Sequence, residues 1–121
     1  PQVREPLELV RHADVLLYGI GRAMDLAQRR GLSRAEQETL RAEGAVAEAL
    51  GFYLNAEGYV VGGGSSLAFK PEDIGRKNRA AAVAAGRAKA EAILAVCAHH
   101  PHKLLVVDEG AALRMLELLR P

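Results

Sequence analysis

Two short apolar runs, each ended by a residue that can turn the chain, constrain the fold of this 121-residue sequence more than any other feature. The run at 15–18 ends at Gly19, and the run at 103–107, which is apolar after Lys103, ends at Asp108. Short continuous apolar runs of this kind are typical of strands that are buried on both faces of a parallel sheet. Because parallel strands need long, right-handed crossovers, the sequence predicts alternating strands and helices in an α/β fold.

The alanine-rich segment at 78–99 allows two interpretations. Alanine has the best helix propensity, so local propensity alone predicts one long helix with a costly Gly86 inside it. A strand, then Gly86, then a helix fits the neighbouring sequence better, because the strand at 103–107 must be reached by a crossover. We therefore predict a strand before Gly86 and a helix after it.

Local signals predict the remaining elements. Ser33 and Glu36 form a capping-box pattern, in which the serine oxygen accepts a hydrogen bond from one free amide and the glutamate accepts one from another. Three of the five aromatic residues lie at 51–61 around an Asn-Ala-Glu-Gly turn, as in a β-hairpin. The predicted elements are helices at 5–12 and 22–30, a helix from Ser33, a helical turn or two at 44–50, the hairpin at 51–61 and a short helix from Pro71.

Composition limits the class of protein. The formal net charge is +1, which argues against autonomous binding to nucleic acid, since that usually needs a concentrated basic face. The single Cys97 cannot form an internal disulfide, and no apolar run approaches the roughly 18 residues of a membrane span. We expect a cytoplasmic protein without membrane contact. Because the chain starts at Pro1 without a signal peptide or an initiator methionine, we also expect it to be part of a longer protein.

Glycines at the predicted carboxyl ends of the strands could help to bind an anion. A glycine directly after a strand lets the backbone turn tightly and directs the first helical amides at a ligand. Gly19, Gly21 and Gly86 stand at such positions, with a plain turn as the alternative. A dinucleotide fingerprint would need its third glycine at the position of Met24, so we expect neither NAD nor another cofactor.

Charged residues near these strand ends are the other candidates for a binding site. Lys89 would lie in the first turn of a helix, where a cation opposes the helix dipole and a bound anion would offset the cost. A solvated lysine paired with a nearby acid is the alternative. Arg29 and Arg30 would close a helix, where cations are favourable without any ligand. Glu48 could accept hydrogen bonds from sugar hydroxyls or lie exposed, and Asp108 could serve a ligand or cap the last helix.

The sequence supports metal binding and nucleophilic catalysis less than it supports anion binding. Cys97, His99, His100 and His102 carry atoms that can bind zinc, but Pro101 interrupts them and the sequence has no second ligand cluster. We therefore expect a helix end and a loop there, and no metal. No serine, histidine and acid arrangement can be assembled for nucleophilic catalysis.

Several sequence blocks occur in an order and spacing that match a known family. These blocks are 14–21, 27–30, 44–49, 51–58, 89–93 and 107–112. With them the chain resembles the latter half of the effector-binding domain of SorC/DeoR-type sugar-binding regulators. The resemblance implies a Rossmann-like three-layer domain with a mainly parallel sheet, similar to that of sugar-phosphate isomerases and CoA-transferases, of which this chain is the second half.

The resemblance also implies roles for individual residues. Lys89 would contact an effector phosphate, Arg29 would contribute positive charge, and Glu48 would hold sugar hydroxyls. Relatives carry a Gly-Gly-Ser-Ser-Lys loop where this chain has Ala-Gly-Arg-Ala-Lys at 85–89, so two hydroxyls and a glycine are lost and the cation of Arg87 is gained. Members of the family bind phosphorylated sugars without converting them, bind operator DNA through an N-terminal helix-turn-helix segment, and act as oligomers.

Three functions are compatible with these features. The leading hypothesis is a sensor for a phosphorylated sugar such as fructose 1,6-bisphosphate or another triose or hexose phosphate. The first alternative is an enzyme of the sugar-phosphate isomerase group, with Glu48 or Asp108 as general base. The second alternative is an oligomerisation surface, in which Leu113, Leu116 and Leu119 are partly exposed.

Overall fold

A computed structural model describes residues 4–62, 79–98 and 104–120 of the chain. The helices are α1 (Arg4–His12), α2 (Ala23–Arg29), α3 (Arg34–Ala42), a 3₁₀ turn (Arg87–Lys89), α4 (Ala90–Cys97) and α5 (Glu109–Leu119). The strands are β1 (Val15–Gly19), β2 (Gly21–Arg22), β3 (Ala45–Ala49), β4 (Phe52–Asn55), β5 (Val60–Val61), β6 (Arg79–Ala84) and β7 (Leu104–Val107). The short helix predicted from Pro71 and the histidines near Pro101 lie outside the described residues.

The parallel sheet has the strand order β1-β6-β7, with Tyr18 level with Ala82 and Ala82 level with Leu105. The order confirms the predicted α/β class and the strand before Gly86. Alanine forms the central strand here despite its helix propensity, because β6 pairs on both sides and its small side chains fit beneath helices. Local propensity is therefore overridden by pairing and packing.

The second sheet is antiparallel, in the order β2-β3-β4-β5, and contains one correction to the sequence prediction. The segment at 44–50, predicted to be helical, forms strand β3, which pairs with both β2 and β4. Gly44, Leu50 and Gly51 have φ angles of 78°, 55° and 87°, so the chain turns out of a helical path at both ends. The hairpin prediction is confirmed by β4 and β5.

Helix α4 packs against the inward faces of both sheets. Five of its residues are at most 1% exposed. These residues are Ala90, Ala92, Ile93, Ala95 and Val96. All of them except Ala90 form one core cluster with Tyr18 of the parallel sheet and Ala47 of the antiparallel sheet. A smaller cluster, with Tyr53 at its centre, fills the space between the antiparallel sheet and helices α2 and α3. A helix that is apolar around most of its surface is expected at the centre of a core, and α4 has that place.

The opposite face of the parallel sheet is exposed in the described part of the chain. The large apolar residues on it are 44% to 69% exposed. They are Val15, Leu17, Val83, Leu104 and Val106. Successive strand residues point to opposite faces, and the register places these side chains on one side. The prediction that these strands are buried on both faces is therefore wrong for the residues described.

The helices agree with their local signals. The Glu36 amide donates to Ser33 Oγ over 3.1 Å and the Ser33 amide donates to Glu36 Oε2 over 2.9 Å, which confirms the capping box at the start of α3. Within 4–62, 79–98 and 104–120, the helices are too short or too polar to cross a membrane.

Replacing Ile93 by alanine should destabilise the protein strongly. Ile93 is 0% exposed at the centre of α4, and an Ile→Ala change at such a site removes apolar contacts and leaves a cavity. We expect a loss of about 2–5 kcal/mol in the free energy of unfolding, measured by urea denaturation. Leu9→Ala, at a residue that is 73% exposed, is the control and should change stability by less than about 0.5 kcal/mol. Equal effects of the two changes would contradict this account of the core.

Candidate functional site

The carboxyl ends of the parallel strands bring Gly86 and Asp108 into contact. The Gly86 amide donates to both carboxylate oxygens of Asp108 over 3.1 Å. The same carboxylate caps α5, because its Oδ1 accepts a hydrogen bond of 2.9 Å from the Ala111 amide. The interpretation of Asp108 as a helix cap is therefore confirmed. Gly86 has a φ of 108°, a left-handed conformation that favours glycine, and Gly19 lies at the same edge of the sheet.

These hydrogen bonds change the electrostatics of the predicted anion site. The amides of Ala111 and then Gly86 stabilise the ionised form of Asp108 and lower the pKa of its carboxyl. The Gly86 amide therefore faces a negative charge, and an anion at this point would compete with a carboxylate that is already in place. Asp108 cannot join Gly86 in holding a phosphate while it keeps these bonds.

The two cations that follow Gly86 have different surroundings. Arg87 points to α5, where its Nη2 lies 2.8 Å from Oε2 of Glu117, and Nη1 of Arg114 lies 2.9 Å from the same oxygen. Lys89 ends the 3₁₀ turn and is half-buried, and its ammonium makes no hydrogen bond or ion pair with any described side chain. Lys89 is thus the cation at this edge that a ligand could neutralise.

Glu48 is buried, so the alternative prediction that its side chain lies exposed is wrong. It lies on β3 with 6% exposure, and its Oε1 accepts hydrogen bonds of 2.8 Å from Arg30 Nη2 and 2.9 Å from the Gly51 amide. Burial alone would lower the pKa of Arg30, but the hydrogen bond and charge of Glu48, with the Tyr53 phenol nearby, raise it. Tyr53 is the register partner of Glu48 on β4, and its buried hydroxyl has no hydrogen-bond partner in the described parts of the chain.

Gly21 has a steric role beside Glu48. The two residues are register partners on β2 and β3. A Cβ added to Gly21 would lie 2.3 Å from Cδ2 of Leu26 and 3.9 Å from Oε2 of Glu48. The glycine therefore lets α2 approach the strand and bring Arg30 over Glu48.

The sequence predicted a role in ligand binding for several residues, and these roles remain predictions. Gly21 with Glu48, and Gly86 with Asp108, come together. The partner of Glu48 is Arg30 and not Arg29, which is exposed at the end of α2. A strand prediction for 45–49 would have pointed Glu48 inward and suggested a cation beside it. Among the described residues, Lys89 and Glu48 share neither a hydrogen bond nor an ion pair.

The described residues hold no group of three or more histidine, cysteine, aspartate or glutamate side chains that could bind a metal ion. Cys97, the described member of the cysteine and histidine group, is half-buried at the end of α4, and burial raises the pKa of its thiol. A raised pKa disfavours the thiolate that metals and electrophiles need. His99, His100 and His102 fall outside the described residues.

Comparison with known proteins places this geometry in a family. Residues 1–117 match the family model described as "Putative sugar-binding domain". The central glycolytic genes regulator of Bacillus subtilis is 40% identical over 116 residues, which are 96% of this chain and 34% of that protein. The regulator of the same name from Priestia megaterium is 36% identical over 112 residues, or 93% of this chain and 33% of that protein. The chain thus spans about a third of the length of these relatives.

Solved structures give the same result. A SorC family transcriptional regulator from Enterococcus faecalis superposes with a TM-score of 0.86 at 33% identity, covering 96% of this chain and 47% of that one. The full-length sorbitol operon regulator SorC from Klebsiella pneumoniae superposes with a TM-score of 0.79 at 18% identity, covering 93% of this chain and 39% of that one. The second likeness, at this low identity, concerns the fold alone.

The Asp108 cap should make stability depend on pH. The pKa of this carboxyl is lower in the folded than in the unfolded chain, so its contribution is present above the unfolded value of about 3.9 and is lost as the pH falls through the folded value. We expect Asp108→Ala to lower Tm at pH 7 and the difference from the parent to shrink as the pH falls below about 4. Glu38→Ala, at an exposed residue of α3, is the control and should leave Tm nearly unchanged. A difference that grows on acidification would rule out this role of Asp108.

Proposed function

This chain belongs to the family of sugar-binding domains of SorC/DeoR-type transcriptional regulators, and we propose that it senses a phosphorylated sugar. The observation that carries the phosphate part of the proposal is the ammonium of Lys89, which has no described anionic partner and stands before α4 at the carboxyl edge of the parallel sheet. A phosphate there would supply the missing negative charge through charge-assisted hydrogen bonds.

Glu48 is suited to hold the sugar. Its Oε1 is occupied by Arg30 and Gly51, whereas its Oε2 accepts no hydrogen bond from the described residues. The ion pair fixes the carboxylate, so the second oxygen is oriented before a ligand arrives. We propose that Oε2 accepts a hydrogen bond from a sugar hydroxyl. Arg29, which is exposed at the end of α2, would add positive charge.

The loop at 85–89 makes this phosphate site different from that expected of the family. The Gly86 amide is held by Asp108, and the Arg87 guanidinium is turned towards Glu117. We therefore propose that Lys89 provides the main phosphate contact of this segment, with Gly19 and Gly21 shaping the backbone. Phosphate binding then depends on one ammonium group more than on several backbone amides and side-chain hydroxyls.

We infer that the domain binds its ligand without converting it. Asp108, one of the two carboxylates that an isomerase could use as general base, accepts hydrogen bonds from the Gly86 and Ala111 amides through both of its oxygens. A base that holds such bonds is poorly placed to take a proton from carbon. The similar proteins with curated names are regulators, which supports the same inference.

In the cell we propose a cytoplasmic homo-oligomer that binds operator DNA through a segment outside this chain. The formal net charge of +1 argues against DNA binding by this chain itself. Exposed leucines on α5 offer apolar surface for self-association: Leu113, Leu116 and Leu119. The effector would act by binding one assembly state more tightly than another.

Calorimetric titration of the full-length protein with fructose 1,6-bisphosphate tests the sensor proposal. We expect binding to weaken by about tenfold or more in Lys89→Ala, because a charge-assisted contact to phosphate is lost. The matched control is Arg34→Ala, at an exposed cation on α3, which should bind like the parent. Equal affinities of Lys89→Ala and the parent would remove Lys89 from the site, and recovery of a converted sugar after the titration would favour the enzyme alternative.

The exposed face of the parallel sheet suggests how the rest of the domain is arranged. We propose that the preceding half of the same domain covers Val15, Leu17, Val83, Leu104 and Val106. Large apolar patches on soluble proteins commonly mark an interface. This chain covers only 47% of the solved Enterococcus faecalis chain and 49% of a sugar-binding domain from Vibrio fischeri, so each has enough additional residues to cover such a face.

A charge placed on this face should destabilise the full-length protein. Leu17→Asp would bury an unpaired carboxylate under the covering half, and we expect a loss of roughly 3 kcal/mol or more in the free energy of unfolding. Val60→Asp is the matched control, because Val60 is also an exposed strand residue but lies on the antiparallel sheet. If both changes have the same small effect in thermal unfolding, the face is not covered by the rest of the domain.

A further inference from the structure

The phenol of Tyr53 is a buried polar group that no described contact satisfies. Tyr53 is 7% exposed, and its hydroxyl oxygen is enclosed without a hydrogen-bond partner among residues 4–62, 79–98 and 104–120. An unpaired buried hydroxyl costs free energy that the apolar ring of a phenylalanine would not. Because most buried polar side chains in folded proteins are paired, this hydroxyl requires an explanation.

The register of the antiparallel sheet places Tyr53 beside Glu48. The two residues are opposite each other on β4 and β3, so their side chains lie on the same face, with Cβ atoms about 5 Å apart. Gly21 lies opposite Glu48 on β2, and a Cβ built on Gly21 would lie 3.9 Å from Oε2 of Glu48. Two oxygens on this face therefore lack a hydrogen-bond partner among the described residues: Oε2 of Glu48 and the hydroxyl of Tyr53.

Arg30 lies next to both side chains. Its Nη2 donates to Oε1 of Glu48 over 2.8 Å. Burial lowers the pKa of Arg30, whereas Glu48 and then the nearby Tyr53 phenol raise it. The side chain of Arg30 is 42% exposed, and among its guanidinium nitrogens Nη2 makes its one hydrogen bond to a described side chain. The guanidinium can therefore turn about this bond and let a ligand reach the phenol while the ion pair is kept.

We propose that the Tyr53 hydroxyl contacts the ligand and, together with Oε2 of Glu48, recognises two neighbouring hydroxyl groups of a sugar phosphate. A carboxylate oxygen only accepts hydrogen bonds, whereas a phenol both donates and accepts, so the pair matches two adjacent hydroxyls of a sugar. A sugar that lacks one of these hydroxyls would leave a buried polar group unpaired and would bind more weakly. The inference rests on the proposed sugar-phosphate function and adds a residue that selects the sugar.

Calorimetric titration of the full-length Tyr53→Phe protein with fructose 1,6-bisphosphate and, separately, with fructose 6-phosphate tests this role. For a sugar phosphate that the parent binds, we expect the affinity to fall about three- to tenfold, because one hydrogen bond is lost. We expect Tm of the free protein to stay the same or rise, because the hydroxyl makes no hydrogen bond to the described residues.

Two control variants distinguish the hydroxyl from the packing around it. Tyr59→Phe makes the same chemical change at a tyrosine that is 59% exposed, and it should bind like the parent. Leu40→Val disturbs the apolar cluster that contains Tyr53 but keeps the hydroxyl. It should lower Tm, because apolar contacts are lost, and leave the affinity within about twofold of the parent.

Lys89→Ala separates this inference from the proposed function. If Lys89→Ala weakens binding but Tyr53→Phe binds like the parent, the sensor proposal stands and the role of Tyr53 is refuted. The role is also refuted if Leu40→Val weakens binding as much as Tyr53→Phe, since packing then explains the loss. A parent protein that binds neither sugar phosphate would overturn both proposals.

Discussion

The packing of α4 against both sheets is the contact on which the rest of the structure depends. Each sheet alone has one apolar face to bury, and α4 presents small or apolar side chains around most of its surface. Because β3 packs closely on this helix, the strand that carries Glu48 is fixed relative to the turn that carries Lys89. The two charged groups are held in place by alanine contacts more than by any interaction between themselves.

The sequence predicted the elements whose signals are local or topological. Ser33 with Glu36 and Asp108 are side-chain caps, and such caps are recognisable from residue type and spacing. Strand β6 has no local signal, and it followed only from the need for a crossover into β7. The helical prediction for the segment that forms β3 was wrong, because Ala-Val-Ala-Glu-Ala has a high helix propensity. Its pairing with β2 and β4 depends on distant residues.

That error explains what the sequence missed at the candidate site. On a surface helix Glu48 would have needed no partner, whereas on a central strand its buried carboxylate requires one, and Arg30 provides it. Resemblance to the family predicted ligand roles for Lys89 and Glu48, but it could not reveal that Gly86 donates to Asp108 or that Arg87 turns to Glu117. The two contacts join residues 22 and 30 positions apart, which local patterns do not predict.

The double use of the Asp108 carboxylate couples two parts of the fold. One group caps the first turn of α5 and also holds the amide of Gly86, which leads into α4. An anion that took the Gly86 amide would leave the carboxylate free to rotate and would change the restraint on α5. If an anion bound there, its binding and the order at the start of α5 would be thermodynamically linked, and the link would be reciprocal: a partner that bound α5 would alter the affinity at the strand edge by the same factor.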